Sequence, residues 1–139
     1  MAHLYTGSIG VAPQPGTDLG SWGEANDRTT LTLTLNAPAS AQSARFDFYF
    51  LSAEYPEYVG TSYNDKFEAN ISSPAWSGNA AIDSLGNMVS VNTLFFSVVD
   101  SASLSGTGFD IVDPYSGQIH GGGTGWLSLL FPVSSGQPV

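Results

Sequence analysis

Arg45-Phe46-Asp47-Phe48-Tyr49-Phe50-Leu51 decides the fold class. Phe46, Phe48 and Phe50 share one face of an extended chain, and Asp47 and Tyr49 share the other. Successive side chains of a strand point to opposite sides, so this alternation describes a half-buried strand and not a helix. Upstream, Thr29-Thr30-Leu31-Thr32-Leu33-Thr34-Leu35-Asn36 repeats the pattern, with Leu31, Leu33 and Leu35 opposite Thr30, Thr32 and Thr34, until Pro38 ends it. Further strands are expected at 66–72, where Phe67, Ala69 and Ile71 share a face, and at 88–92, 94–99 and 126–131.

Sixteen glycines and eight prolines interrupt the chain too often for long helices, although Ser52 to Tyr58 has room for one helical turn. Ser84-Leu85-Gly86-Asn87 and Ser105-Gly106-Thr107-Gly108 read as turns. Gly121-Gly122-Gly123-Thr124-Gly125 reads as a flexible connector, because it lacks the lysine of a phosphate loop and no helix follows it. No internal repeat of fixed period is visible. Short strands with frequent turns predict an all-β protein, an antiparallel β-sandwich of jelly-roll type, forming one domain over 1–139.

Composition narrows the function. Twelve acids stand against three bases, Arg28, Arg45 and Lys66, for a net charge of −9. No basic patch can be assembled from these, which argues against nucleic acid and against anionic membrane surfaces. No apolar run approaches the roughly 20 residues of a membrane span, so membrane insertion is not expected. Met1-Ala2-His3-Leu4 shows no basic region followed by an apolar stretch, and so no signal peptide. The absence of cysteine removes disulfides, thiolate metal sites and cysteine nucleophiles.

The segment most suggestive of function is Glu54-Tyr55-Pro56-Glu57-Tyr58-Val59-Gly60-Thr61-Ser62-Tyr63-Asn64-Asp65, between two predicted strands. Calcium takes six to eight hard oxygen ligands, and Glu54, Glu57, Asn64 and Asp65 supply candidates within one loop. Gly60 permits a sharp bend and Pro56 stiffens the approach. The spacing fits equally an acidic solvated loop in which Asn64 and Asp65 cap a turn. Tyr55, Tyr58 and Tyr63 flank the carboxylates and offer an apolar face with a polar tip to a glycan or peptide.

The run from Phe46-Asp47-Phe48-Tyr49-Phe50 through Glu54-Tyr55-Pro56-Glu57-Tyr58-Val59-Gly60 to Asn64-Asp65-Lys66-Phe67 resembles the choice-of-anchor L domain of bacterial surface proteins. Thr124-Gly125-Trp126-Leu127 with Pro132-Val133 is similar to that family's closing section. The resemblance spans Arg45 to Val133 and is loose between Ser72 and Gly123. It implies a β-rich, extracellular or cell-surface module of a larger protein, with no established catalysis. Glu54, Glu57, Asn64 and Asp65 match the family's polar signature, which adds weight to calcium. In the family, one or two Asp-rich strands follow this section. Here Gln137-Pro138-Val139 reads as the lead-in to such a strand. Either that strand is missing and its place invites a strand from another chain, or the sheet closes without it.

Other candidates are ordinary. Thr30, Thr32 and Thr34 suit an exposed strand face. Trp22 and Trp126 read as packing residues, and Trp76 and Tyr115 as further aromatics for packing or stacking. His3 and His120 are the only imidazoles, and no Gly-x-Ser-x-Gly elbow accompanies them, so an enzyme is not expected. Lys66 reads as a solvated lysine beside Asp65, and Asp113-Pro114 as a turn start. The sequence therefore predicts a non-catalytic adhesion or recognition module with a calcium-stabilised loop, binding a glycan or peptide. The alternative is an assembly scaffold completed by a β-strand from another chain.

Overall fold

A computed structural model of the chain describes residues 30–112, 115, 117 and 119–139. His3, Trp22, Arg28, Thr29 and Asp113-Pro114 lie outside the described residues. The elements, in chain order, are β1 (Ser43–Ser52), β2 (Lys66–Phe67), β3 (Asn70–Ser72), β4 (Ser77–Asn79), β5 (Val89–Ser90), α1 (Ser101–Leu104), β6 (Ile111–Val112), β7 (Ile119–His120) and β8 (Gly122–Pro132). The expected all-β class holds: among the described residues α1 is a single turn, capped by the Asp100 carboxylate, which accepts from the Ser103 N–H at 2.9 Å. The strands form antiparallel pairs β1–β8, β2–β5, β3–β4 and β6–β7.

The long β1–β8 ribbon is the frame. Its register sets Phe46 against Leu129 and Phe48 against Leu127 on one face, and Asp47 against Ser128 and Tyr49 against Trp126 on the other. The phenylalanine face packs on the β2–β5 strand pair. Phe48 stacks on Phe67 with ring centroids 4.1 Å apart, and Phe46 and Phe50 lie 6.4 and 6.0 Å from the same ring. Phe48, Ala81 and Val89 are buried at the centre of this cluster, with Phe95, Leu127 and Leu129 packed around them.

The register shifts between Tyr49 and Leu51, and there the Phe50 N–H donates to the buried Thr124 hydroxyl at 3.1 Å. Thr124 thus satisfies a donor that the ladder skips, as buried backbone groups require.

Several sequence expectations need correction. The glycine run is not a connector. Gly122, Gly123 and Thr124 lie within β8, buried, and Gly123 also bridges to Val98. A Cβ on Gly122 would sit 2.5 Å from Tyr55 Cδ1, and one on Gly123 would sit 2.4 Å from Tyr49 Cε1. The glycines are there because tyrosine rings occupy the space.

The alternation at 29–36 does not produce a strand among its described residues. Only Asn36 bridges, to Pro138, and Leu31, Leu33 and Leu35 remain at least half exposed. Alternation marks a face but provides no partner to cover it. Gln137-Pro138-Val139 pairs with this segment. Leu35 and Val139 exchange backbone hydrogen bonds of 3.0 and 2.8 Å.

The strand expected at 66–72 is two, because the chain changes partner at Glu68-Ala69. Asn79 Oδ1 accepts from the Ala69 and Ala81 N–H groups at 3.0 Å each and holds that break. Of the strand expected at 94–99, Leu94 and Phe95 lie in a turn and Val98 alone pairs, by a bridge to Gly123. Trp126, expected inside, is 61 % exposed.

Truncating the central ring should be the costliest single change in the frame. Phe48→Ala is expected to lose about 3–5 kcal/mol, and Gly122→Ala about 1–3 kcal/mol through overpacking against Tyr55. Urea unfolding followed by circular dichroism measures both, with an unchanged m-value as the sign that stability alone has moved.

Candidate functional site

The acidic segment connects β1 to β2, two strands already joined by the Phe48–Phe67 stack, so its ends are fixed before any ligand is considered. It opens with the expected helical turn, in which the Tyr58 N–H donates to the Glu54 carbonyl at 2.9 Å. The Tyr55–Pro56 peptide is cis. Gly60 then takes φ +83°, left-handed backbone that a side chain would strain, as the expected bend requires.

The stem of the loop closes through a ring of polar contacts. The buried Ser52 hydroxyl accepts from the Glu54 N–H at 3.0 Å and donates to Asp65 Oδ2. The Asp65 N–H in turn donates to Glu54 Oε2 at 2.9 Å. Two of the expected ligand residues, Glu54 and Asp65, are therefore brought together, with Ser52 between them. The Asp65 carbonyl also accepts from the Val91 N–H at 3.0 Å, which ties the stem to the β2–β5 strand pair.

The far side of the loop is held by Asn92. Its backbone N–H donates to Asn64 Oδ1 at 2.9 Å, its Nδ2 donates to the Thr61 carbonyl at 3.0 Å, and its Oδ1 accepts from the Gly60 N–H at 2.5 Å. Asn64 thus spends its side-chain oxygen on Asn92 and not beside Glu54. Glu57 is exposed on the helical turn. Among the described residues no three or more His, Cys, Asp or Glu side chains gather where a metal ion could be held.

The tyrosines divide. Tyr55 is half-buried and stacks on Phe96 with centroids 5.0 Å apart, so it anchors the loop to the core. Tyr58 and Tyr63 meet edge to face at 5.2 Å, with Tyr63 half exposed, and form the outward aromatic pair. Sequence reasoning missed Ser52 and Asn92. Ser52 reads as the end of an apolar strand, and Asn92 as one of many turn asparagines, so neither carries a signal of its own.

A second polar group lies outside the loop, on the outer face of β1–β8. Arg45 Nε donates to Asp47 Oδ1 at 2.7 Å, Arg45 donates through its guanidinium to Ser128 Oγ at 2.9 Å, and Ser128 Oγ donates to Asp47 Oδ1 at 2.6 Å. The Ser128 hydroxyl and then Arg45 hold the Asp47 carboxyl below its ordinary value. Asp83 is lowered by the Asn87 side chain and backbone, and Asp100 by Ser103. Burial, and then the Asp100 charge, push the Tyr49 phenol up. Of the two histidines, His120 lies in β7.

No family model, curated protein or solved structure matches the chain. The likeness to the choice-of-anchor L domain rests on its motif residues alone.

Two outcomes follow from the loop and from the lowered carboxylates. Asn92→Ala removes both side-chain contacts to the loop and is expected to cost about 1–2 kcal/mol, with faster amide hydrogen exchange at Gly60 as the local readout. Asp47, Asp83 and Asp100 have lowered folded values, so their contribution is present above the unfolded value near about 3.9 and fades as pH falls through the folded ones. The melting temperature should therefore decline only below about pH 4. Asp83→Asn should lower it at neutral pH and flatten its acid limb, as read by calorimetry across pH 2–7.

Proposed function

We propose that this chain is a non-catalytic, extracellular recognition or adhesion module of a bacterial surface protein. In this reading its paired sheets belong to a jelly-roll sandwich, and its β1–β2 loop is a presentation loop stiffened by calcium. The observation that carries the reading is the closed stem. Ser52, Glu54 and Asp65 hold both ends of the loop together, while Tyr58 and Tyr63 stand at its outward side. A braced loop carrying an aromatic pair suits recognition, because the ordering cost is met before the ligand arrives. The motif resemblance of Glu54 to Asp65 supports the same placement, and the strongly acidic chain accords with partners other than nucleic acid. Among the described residues no helix is long and apolar enough to cross a membrane.

Calcium would bind through the carboxylates of Glu54 and Asp65, which the stem brings together. Asn64 accepts from the Asn92 N–H, so carbonyl oxygens and water complete the shell. So few protein carboxylates place the site in the millimolar class of extracellular modules. At ten times the dissociation constant the ion adds about 1.4 kcal/mol, a rise of about 3–5 °C in melting temperature. Thermal melts with 10 mM calcium against chelator should show that rise in wild type and none in Asp65→Ala. An unchanged wild-type melt removes calcium from the reading.

A second reading is favoured by Leu31, Leu33 and Leu35, which stand 50, 60 and 61 % exposed along an extended segment. There the chain is an assembly scaffold that accepts a β-strand from another chain on this apolar edge. Light scattering that finds concentration-dependent oligomers, reduced by Leu33→Lys, would favour it over the first.

A further inference from the structure

The period of β1 that sets Phe46, Phe48 and Phe50 on the inner face turns Arg45, Asp47 and Tyr49 to the outer face, where the register places them opposite Leu130, Ser128 and Trp126. This face is built. Trp126, 61 % exposed, meets the half-buried Tyr49 ring edge to face, with centroids 5.8 Å apart and planes at 88°. One step along the ribbon, about 7 Å away by strand geometry, Arg45, Asp47 and Ser128 bond to one another. The result is an aromatic shelf beside a polar cluster on a strand pair with fixed register.

The chemistry of the cluster selects the ligand. Arg45 only donates hydrogen bonds, the Asp47 carboxylate only accepts, and Ser128 does both. Paired hydroxyls on adjacent ring carbons, each donor and acceptor at once, match such a set. The carbon–hydrogen face of the same ring matches an exposed indole. Arg45 is neutralised by Asp47 at 2.7 Å, so the patch has no spare positive charge for phosphate or sulfate. A second copy of a chain with net charge −9 gains nothing from charge here.

We propose that the outer face of β1–β8 is a binding site for a neutral glycan. One pyranose ring stacks on Trp126, and its hydroxyls exchange hydrogen bonds with Arg45, Asp47 and Ser128. This deepens the recognition reading above, since it names the ligand class and moves the principal contact from the loop tyrosines to the sheet.

The test uses the full chain titrated calorimetrically with cellohexaose, mannohexaose, xylohexaose and chitohexaose, and with heparin as the anionic comparison. At least one neutral hexasaccharide should bind wild type. Trp126→Ala should weaken it at least tenfold and Ser128→Ala about threefold to tenfold, while Leu85→Ala, on an exposed turn, leaves it unchanged. The side chains of Trp126 and Ser128 lie on the exposed face, and matching circular dichroism spectra and melts verify that both variants are folded. Binding of heparin alone, of none of the five, or binding lost with Tyr58→Ala and kept with Trp126→Ala would each overturn the inference. The calcium-dependent melt of the same samples is read separately: if it persists while every sugar fails, the glycan face falls and the calcium loop stands.

Discussion

The stack of Phe48 on Phe67 is the contact on which the other described elements depend. Each sheet here has two strands, and a lone two-stranded ribbon is marginal in water. Stability must then come from packing one ribbon on another, and Phe67 does this from a strand of only two residues. Its ring meets Phe46, Phe48 and Phe50 together, so a two-residue strand engages three successive positions on one face of the long ribbon. Aromatic rings suit the task because each removes a large apolar area from water with few rotors to freeze.

The loop inherits its shape from that stack. β1 ends at Ser52 and β2 begins at Lys66, and once their phenylalanines are in contact the intervening residues have both ends in place. Closing such a loop costs little more as it lengthens, but burying its stem would strand polar groups. The circuit of Ser52, Glu54 and Asp65 resolves this, since the Ser52 hydroxyl, the Glu54 and Asp65 N–H groups and one oxygen of each carboxylate meet partners within the stem. Acidic residues at this position therefore serve the fold directly, whether or not they serve a cation as well.

What the sequence disclosed follows from the range of the interactions. The face of β1, the helical turn after Ser52 and the bend at Gly60 are local properties of period and backbone freedom, and each was legible. The pairing of Leu35 with Val139, the change of partner at Ala69 and the grip of Asn92 on Asn64 join residues far apart in the chain, and no local pattern encodes them. The candidate ligands show the same division. Glu54 and Asp65 meet through the stem, and Asn64 accepts from a turn nearly thirty residues further on. Tyr55 was read as outward by its polar company, although its ring finds Phe96.

The glycine run shows how one composition supports two opposite readings. Five residues rich in glycine look like a hinge because glycine is permissive, yet permissiveness is also what lets a neighbour approach the backbone. Gly122 and Gly123 are consecutive on a strand, so their missing side chains open one space on each face of the ribbon. Tyr55 fills the inner space, beside Phe96, and Tyr49 fills the outer one, beside Trp126. The first ring fastens the loop to the core, and the second sets the angle at which the exposed indole is supported. The segment that reads as a linker thus couples the interior to the surface. A methyl group at either glycine would disturb a different one of the two, because a strand cannot turn both side chains the same way.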